Sequence, residues 1–345
     1  MNIRIIKYSI PLLFNIGAWR SFHYTGFVTW APVVFGFVII PLFELFVKPD
    51  HSNNLDAHEE AMAKDDRIYD WILYCIVPIQ YTVLYQFLTH ITDPGLTTAD
   101  TIGRIMTMGL MCGVMGINVG HELGHRVNTT EQTMARMLLL TSLYMHFFIE
   151  HNRGHHKHVG TEADPSTARR NESLYLFWFR SISGVYRNAW KIASEEQQKK
   201  GKSFLQNEML HYQLIQIAFL TAIGYVWGLQ VLGYFIIAAI IGILLLETVN
   251  YIEHYGLFRK PLGEGKYERA MPEHSWNSDH VLGRIMLFEL SRHSDHHYLA
   301  SRKYQLLRYH DKSPQLPTGY PGSMILAMIP PLWFSVMNKK IDNNQ

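Results

Sequence analysis

Between Met209 and Leu246 the chain carries no Asp, Glu, Lys or Arg, an uncharged stretch about twice the roughly 20 residues that cross a bilayer's hydrocarbon core. Backbone in hydrocarbon must satisfy its own polar groups, so such a stretch folds as helices. Gly228 and Gly233 near its middle read as a tight hairpin between two of them. Ser21 to Phe43 and Trp71 to Thr92 are uncharged as well, and each fits one crossing. Weaker segments complete a count of six: residues 6–24, with Lys7 and Arg20, and residues 99–121, with Arg104. Charges near span ends can snorkel to the interface. The expected fold class is therefore all-α, a polytopic membrane protein with transmembrane helices at about 6–24, 25–47, 70–92, 99–121, 209–227 and 232–253. Residues 1–345 read as a single membrane-embedded domain, with a polar cap formed by 126–207 and 256–345.

With the N-terminus inside, the outer connections fall near His23 to Gly26, Asp93 to Thr101 and Gly228 to Gly233, and none holds a Lys or Arg. The inner segments hold nearly all of them, which is the positive-inside pattern of a cell inner membrane. Met134 to Ile149 is too short to cross twice and reads as a re-entrant or interfacial piece that returns Glu150 and His151 to the side of His121. Ser173 to Trp190 reads as an interfacial amphipathic helix or a soluble cap packing on itself, and Pro330 and Pro331 argue against a seventh span.

A formal charge of +2 leaves no nucleic-acid footprint. Cys75 and Cys112 each lie in an apolar run, which excludes a disulfide scaffold, a thiolate zinc site and a CxxC redox motif. An electron-transfer centre built from cysteines must then sit on another protein.

Histidines crowd into four boxes: His121 and His125; His151, His155 and His156; His254; and His293, His296 and His297. Spacings of three to five residues place ring nitrogens on one helical face or around one turn. Imidazole without thiolate suits iron, zinc or copper, and nine imidazoles exceed what one ion takes. The first box also spells HExxH, the zinc-protease signature, but such a zinc uses only three protein ligands. A metal transporter fits histidines and spans, yet needs a polar path through a bilayer that these spans do not offer. Adjacent imidazoles would repel on protonation unless a metal keeps them neutral. His23, His51, His58, His90, His146, His158, His211 and His310 read as ordinary surface or core residues. Glu122, Glu150, Glu253 and Asp295 adjoin the boxes and are candidates to accept a far ring N–H, while His274 and His280 are read as supporting rather than ligating.

The segments HELGHR, EHNRGHHKHVGTEADPSTAR, NYIEHYGL and HSWNSDH, the run from Leu290 to Leu307 that begins LSRHSDHH, and LPTGYPG resemble those of the integral-membrane alkane 1-monooxygenases. Those proteins belong to the wider membrane desaturase and hydroxylase superfamily. The likeness runs from about Asp70 to Met337, and NYIEHYG with HSDHH sets it apart from fatty acid desaturases. It implies a cytoplasmic cap holding two non-haem irons, with His121, His125, His151, His155, His156, His254, His293, His296 and His297 as metal ligands and no catalytic side chain beyond them. It implies insertion of one atom of dioxygen into the terminal C–H bond of a medium- or long-chain n-alkane. Electrons would come from a separate rubredoxin, with its reductase and NAD(P)H upstream. A fatty acyl or sterol hydroxylase or desaturase of the same superfamily is the rival reading.

An alkane offers no polar handle, so its end must be selected by shape. Stepping back along the helices from His121 and His254 places Leu110, Val114, Ile117 and Ile243 along an apolar channel. Glu247, deep in a span, is costly there and is read as pairing with a neighbouring helix or relaying protons. Arg153, Lys157, Arg169, Arg170, Arg292, Arg302 and Lys303 lie near the boxes and are read as the docking face for an acidic rubredoxin.

Overall fold

The computed structural model describes residues 3–53 and 55–344. Among them, five helices are long and apolar enough to cross a membrane: Gly26–Phe46, His58–His90, Thr98–Gly124, Glu208–Trp227 and Leu229–His254. The only strands among the described residues form a small hairpin, β1 (Pro261–Gly263) antiparallel to β2 (Lys266–Tyr267), with Pro261 opposite Tyr267.

The N-terminal expectation needs correction. Residues 6–24 are not one helix, because a 3₁₀ turn at Lys7–Ser9 and Pro11 break the segment before α1 (Leu12–His23), which is too short to span alone. α2 (Gly26–Phe46) follows directly and contains a π-helical turn at Phe35–Ile39. α3 (Arg67–His90) starts at an Asp66 cap and continues through Pro78. α4 (Thr98–Gly124) opens on a capping box between Thr97 and Asp100.

Arg104 does not snorkel. It is buried, with Nε donating to the Ser21 carbonyl at 3.1 Å and Nη2 to the Tyr24 carbonyl at 3.0 Å, so one guanidinium caps chain ends that have no helical donor left. α4 widens into a π-helical turn at Cys112–Ile117, and Ser142 Oγ donates to the Cys112 carbonyl at 2.9 Å. Ser142 lies on the turn after α5 (Thr129–Leu140), which packs against the last turns of α4. The chain thus does return His151 to His121, with ring centroids 4.4 Å apart.

α6 (Leu174–Lys199) leads to the hairpin of α7 (Glu208–Trp227) and α8 (Leu229–His254). Gly228 makes the turn with φ of +88°, whereas Gly233 lies inside α8. α4 and α8 approach so closely that a Cβ on Gly109 would lie 2.5 Å from the Ile241 side chain, and one on Gly242 would lie 2.6 Å from Cys112 Cβ. α9 (Tyr320–Ala327) and α10 (Pro330–Asn344) close the chain. Their buried side chains, with Tyr251, Tyr255 and Trp276, form a second apolar core beyond the end of α8.

Candidate metal centre

All four histidine boxes end at one pole of the bundle. His121 and His125 close α4, His254 is the last residue of α8, His151–His155 is a π-helical turn, and His293–Tyr298 is a short helix. The nine rings separate into two groups: His121, His125, His151, His156 and His296; and His155, His254, His293 and His297. Within each group the candidate ligand atoms lie within 4.8 Å of one another.

Backbone form decides who joins which group. His121 and His125 share one at the α-helical spacing of four, as do His293 and His297. His151 and His155, also four apart, do not share. In the wide turn the hydrogen bonds run from i to i+5, and it is His156 Nε2 that stands 3.0 Å from His151 Nε2. Spacing in the sequence leaves this division open, and the form of the backbone turn settles which rings come together.

The first group forms a closed ring of Nε2 atoms. His121, His125, His151, His156 and His296 follow one another at 3.0–3.1 Å, and the ring closes between His296 and His121. A neutral imidazole nitrogen carries one proton or one lone pair in the ring plane, so it pairs with one neighbour only. Five of them in a closed ring cannot be satisfied by hydrogen bonding, since one is always left over. A central cation would accept all five lone pairs at once, which hydrogen bonding within the ring cannot do. The second group shows the same spacing, 3.2 Å between His155 and His297 and 3.1 Å between His254 and His293. The residues fit metal ions in both places.

Burial and then the surrounding imidazoles hold His151, His156, His293 and His297 well below the usual histidine range. Burial with the neighbouring His155 takes His296 down to about 3. Neutral rings are the form that binds metal. His155 goes the other way: burial pulls it down, but Asp164, with smaller contributions from Glu150 and Glu247, outweighs burial and raises it.

Of the acids expected to orient a ring, only Glu253 meets one. Its Oε2 lies 3.2 Å from His293 Nε2, on the side facing the group, while Oε1 accepts from the Tyr320 hydroxyl at 2.7 Å. Glu122 instead takes Arg126 at 2.7 Å and the Tyr304 N–H, and Glu150 takes Asn188 at 2.8 Å. Asp295 binds Arg302 and His310, each at 2.6 Å. A residue adjacent to a ligand on a helix points about 100° away from it, which separates these carboxylates from the rings. His274 pairs with Glu268 and His280 with Ser278, so neither touches a clustered ring. The orienting acid missed in the sequence is Asp164, which accepts His155 Nδ1–H at 3.0 Å and is itself held by Thr167 Oγ1 at 2.6 Å.

A mostly apolar cavity, partly open to its surroundings, reaches His121, His151 and His293 at one end. Leu110 and Val114 line it as expected, but Ile117 and Ile243 do not. The π turn rotates Ile117 away and leaves Gly113, Val114 and Asn118 on the cavity side. On α8 it is Glu253, not His254, that faces the cavity, so the lining steps back through Asn250, Val249, Leu246 and Leu245. Phe14, Gly36, Phe37 and Ile40 supply the opposite wall. Glu247 neither lines the cavity nor meets a clustered ring; it accepts from Tyr144 at 2.8 Å and Ser181 at 2.6 Å.

The expected docking face is largely spoken for. Arg153 pairs with Glu196 and Glu208, Arg170 with Asp342, Arg302 with Asp295 and Lys303 with Asp70. Arg292 is fully buried against Asp279. Lys157 and Arg169 are exposed.

Residues 100–323 match the family model described as fatty acid desaturase. An alkane 1-monooxygenase of Pseudomonas putida is 35% identical over 333 residues, covering 96% of this chain and 81% of the relative. Alkane 1-monooxygenase 2 of Pseudomonas aeruginosa is 39% identical over 314 residues, 90% of this chain and 82% of its own length. The hydroxylase component of a xylene/toluene monooxygenase from Pseudomonas putida is 30% identical over 338 residues, 96% and 87% of the two chains. Identity of this extent, with the paired imidazole groups at the mouth of an apolar cavity, places the chain in the alkane 1-monooxygenase family, within the wider family of fatty acid desaturases.

Proposed function

We propose that this protein hydroxylates the terminal methyl of medium- or long-chain n-alkanes, giving primary alcohols, at a pair of non-haem irons held by the nine clustered histidines. One observation carries the reading: a cavity whose lining contains no Lys, Arg, Ser or Thr ends on His121, His151 and His293. Bound iron would supply the activation of dioxygen. The protein's own part is to hold the imidazoles neutral, to admit an apolar chain end-on and to keep water out of the cavity. Asn118, Asn250, Glu253 and Tyr320 gather at the imidazole end, where the new hydroxyl would appear. An acyl substrate with an anionic head would find no cation on that wall. The xylene/toluene monooxygenase component among the relatives favours a second reading, in which an aromatic hydrocarbon enters the same cavity.

A sixth crossing is read in residues 3–23, broken though that segment is. Lys7 and Tyr8 bond to Glu289 near the imidazole pole at 2.9 and 2.8 Å, and Ser21 and Tyr24 meet Arg104 at the opposite pole. The crowding of Lys and Arg at the imidazole pole supports a cap on the cytoplasmic face of the inner membrane. Rubredoxin remains the electron donor in this reading. Its docking face is narrowed to the exposed cations Lys157, Arg169, Lys260, Lys266 and Arg269, the last three in the segment that also exposes Phe258 and Leu262.

The test is elemental analysis of anaerobically purified protein, paired with chromatography of products from octane through hexadecane and from acyl and xylene substrates when rubredoxin and its reductase are supplied. Two irons per chain with primary alcohols supports the reading; one metal per active chain, or acyl products alone, overturns it.

A further inference from the structure

The outer faces of α6 and of the α9–α10 junction are apolar although neither element crosses the bundle. Tyr175, Leu176 and Phe179 stand out from α6, with Phe179 80% exposed. Met328, Ile329 and Leu332 stand out from the junction, with Leu332 50% exposed. The two sets are joined, since the Tyr175 hydroxyl donates to the Met328 carbonyl at 2.8 Å. Their inner faces share one core, in which Leu174 and Phe177 of α6 pack with Met324, Ala327 and Trp333. A contiguous apolar patch of this kind on a folded chain marks an interaction surface.

Depth identifies what covers it. Trp178 Nε1 donates to Thr248 Oγ1 at 3.2 Å, and Ser181 Oγ donates to Glu247 at 2.6 Å. Those partners lie six and seven residues before the end of α8, or about 10 Å inside it at 1.5 Å per residue. Phe179, between Trp178 and Ser181 in the chain, therefore stands at the level of a helix that crosses the membrane. Further along, both elements turn charged on the outside: Arg187, Lys191 and Lys199 on α6, and Lys339 on α10. Aromatic and aliphatic side chains followed by lysines and arginines is the pattern of helices that lie in a headgroup layer.

We propose that the first half of α6 and the α9–α10 junction form one platform immersed in the lipid leaflet at the imidazole pole, so that the cap sits partly in the membrane. The occupant is the acyl-chain region of the bilayer, continuous with the lipid around α8. The platform rests against α9, whose Pro321 and Met324 line the cavity, so apolar molecules dissolved in that leaflet lie one helix away from it.

The test uses the full-length protein in liposomes of mixed zwitterionic and anionic phospholipid. Cys75 is exposed and is first replaced by serine, while Cys112 is buried. Single nitroxide labels are placed through Phe179→Cys, Leu332→Cys and, as an aqueous reference, Lys191→Cys; all three positions are exposed, so the fold tolerates them. Collision with oxygen, which concentrates in lipid, is compared with collision with a water-soluble nickel chelate. Immersion gives an oxygen-to-nickel ratio at 179 and 332 several-fold above that at 191. Equal ratios at the three positions would overturn the proposal by placing the platform in water. Protection from both reagents at 179 and 332 would overturn it in favour of a second copy of the chain. Neither result touches the reading of the metal centre.

Discussion

His155 and Asp164 are the one pair in the centre where a carboxylate holds an imidazole from behind, and the pair sets a pH dependence of its own. In metal-free protein His155 is raised above its ordinary 6.5, so its contribution is full below that value and is lost as pH rises through the raised one. Asp164 is lowered from 3.8, so its contribution is present above that value and is lost as pH falls through the lowered one. Asp164→Asn should therefore destabilise metal-free protein most near about pH 5, by about 1–3 kcal/mol, with the difference shrinking toward alkaline pH. Thermal melts across pH read this directly, and a pH-independent difference would contradict it. His254→Ala removes one of only four donors in its group. It should abolish hydroxylation and release at least one metal per chain, measured by elemental analysis. The nine clustered rings are legible in the sequence because eight of them fall in short boxes, His254 alone standing apart. Asp164 was not, because it sits on a loop nine residues beyond His155, and only the folded loop turns it back.

Two contacts between elements govern the shape of the site. α4 and α8 deliver His121 and His254 to different groups from a shared interface of Gly109, Gly113 and Gly242, where small residues let backbones meet. Gly109→Leu forces a side chain into Ile241 and should lower stability in detergent by about 1–3 kcal/mol while pushing the two imidazole groups out of register, seen as a lower melting temperature and lost metal. Val114 faces the cavity from the wide turn of α4. Val114→Trp should move the best substrate to shorter alkanes, and an unaltered chain-length profile would remove Val114 from the channel. Helix existence could be read from uncharged runs, and the five long helices fall close to their expected places. The π turns at Cys112–Ile117 and His151–His155 could not, since a widened turn has no residue signature of its own. That is why Ile117 falls outside the cavity lining, and why spacing alone does not divide His151, His155 and His156 between the two groups.

At the scale of the molecule, the cap is tied down by pairs that cross the whole chain, such as Lys7 with Glu289 and Lys303 with Asp70. Composition alone cannot separate paired cations from unpaired ones, and five of the seven expected docking residues are paired with acids. With the exposed Lys157, Arg169, Lys260, Lys266 and Arg269 as the proposed basic rim, rising ionic strength should raise KM for rubredoxin and leave kcat nearly unchanged. A flat response in steady-state assays would dissociate that face from electron delivery. The neighbours His155 and His156 belong to different imidazole groups, and so do His296 and His297. A single peptide bond joins the two halves of the centre at each of these points, so filling one half orders the backbone that presents the other. Metal uptake is then expected to be all-or-none, and a chain starved of metal should divide its population between empty and complete molecules, with few caught halfway.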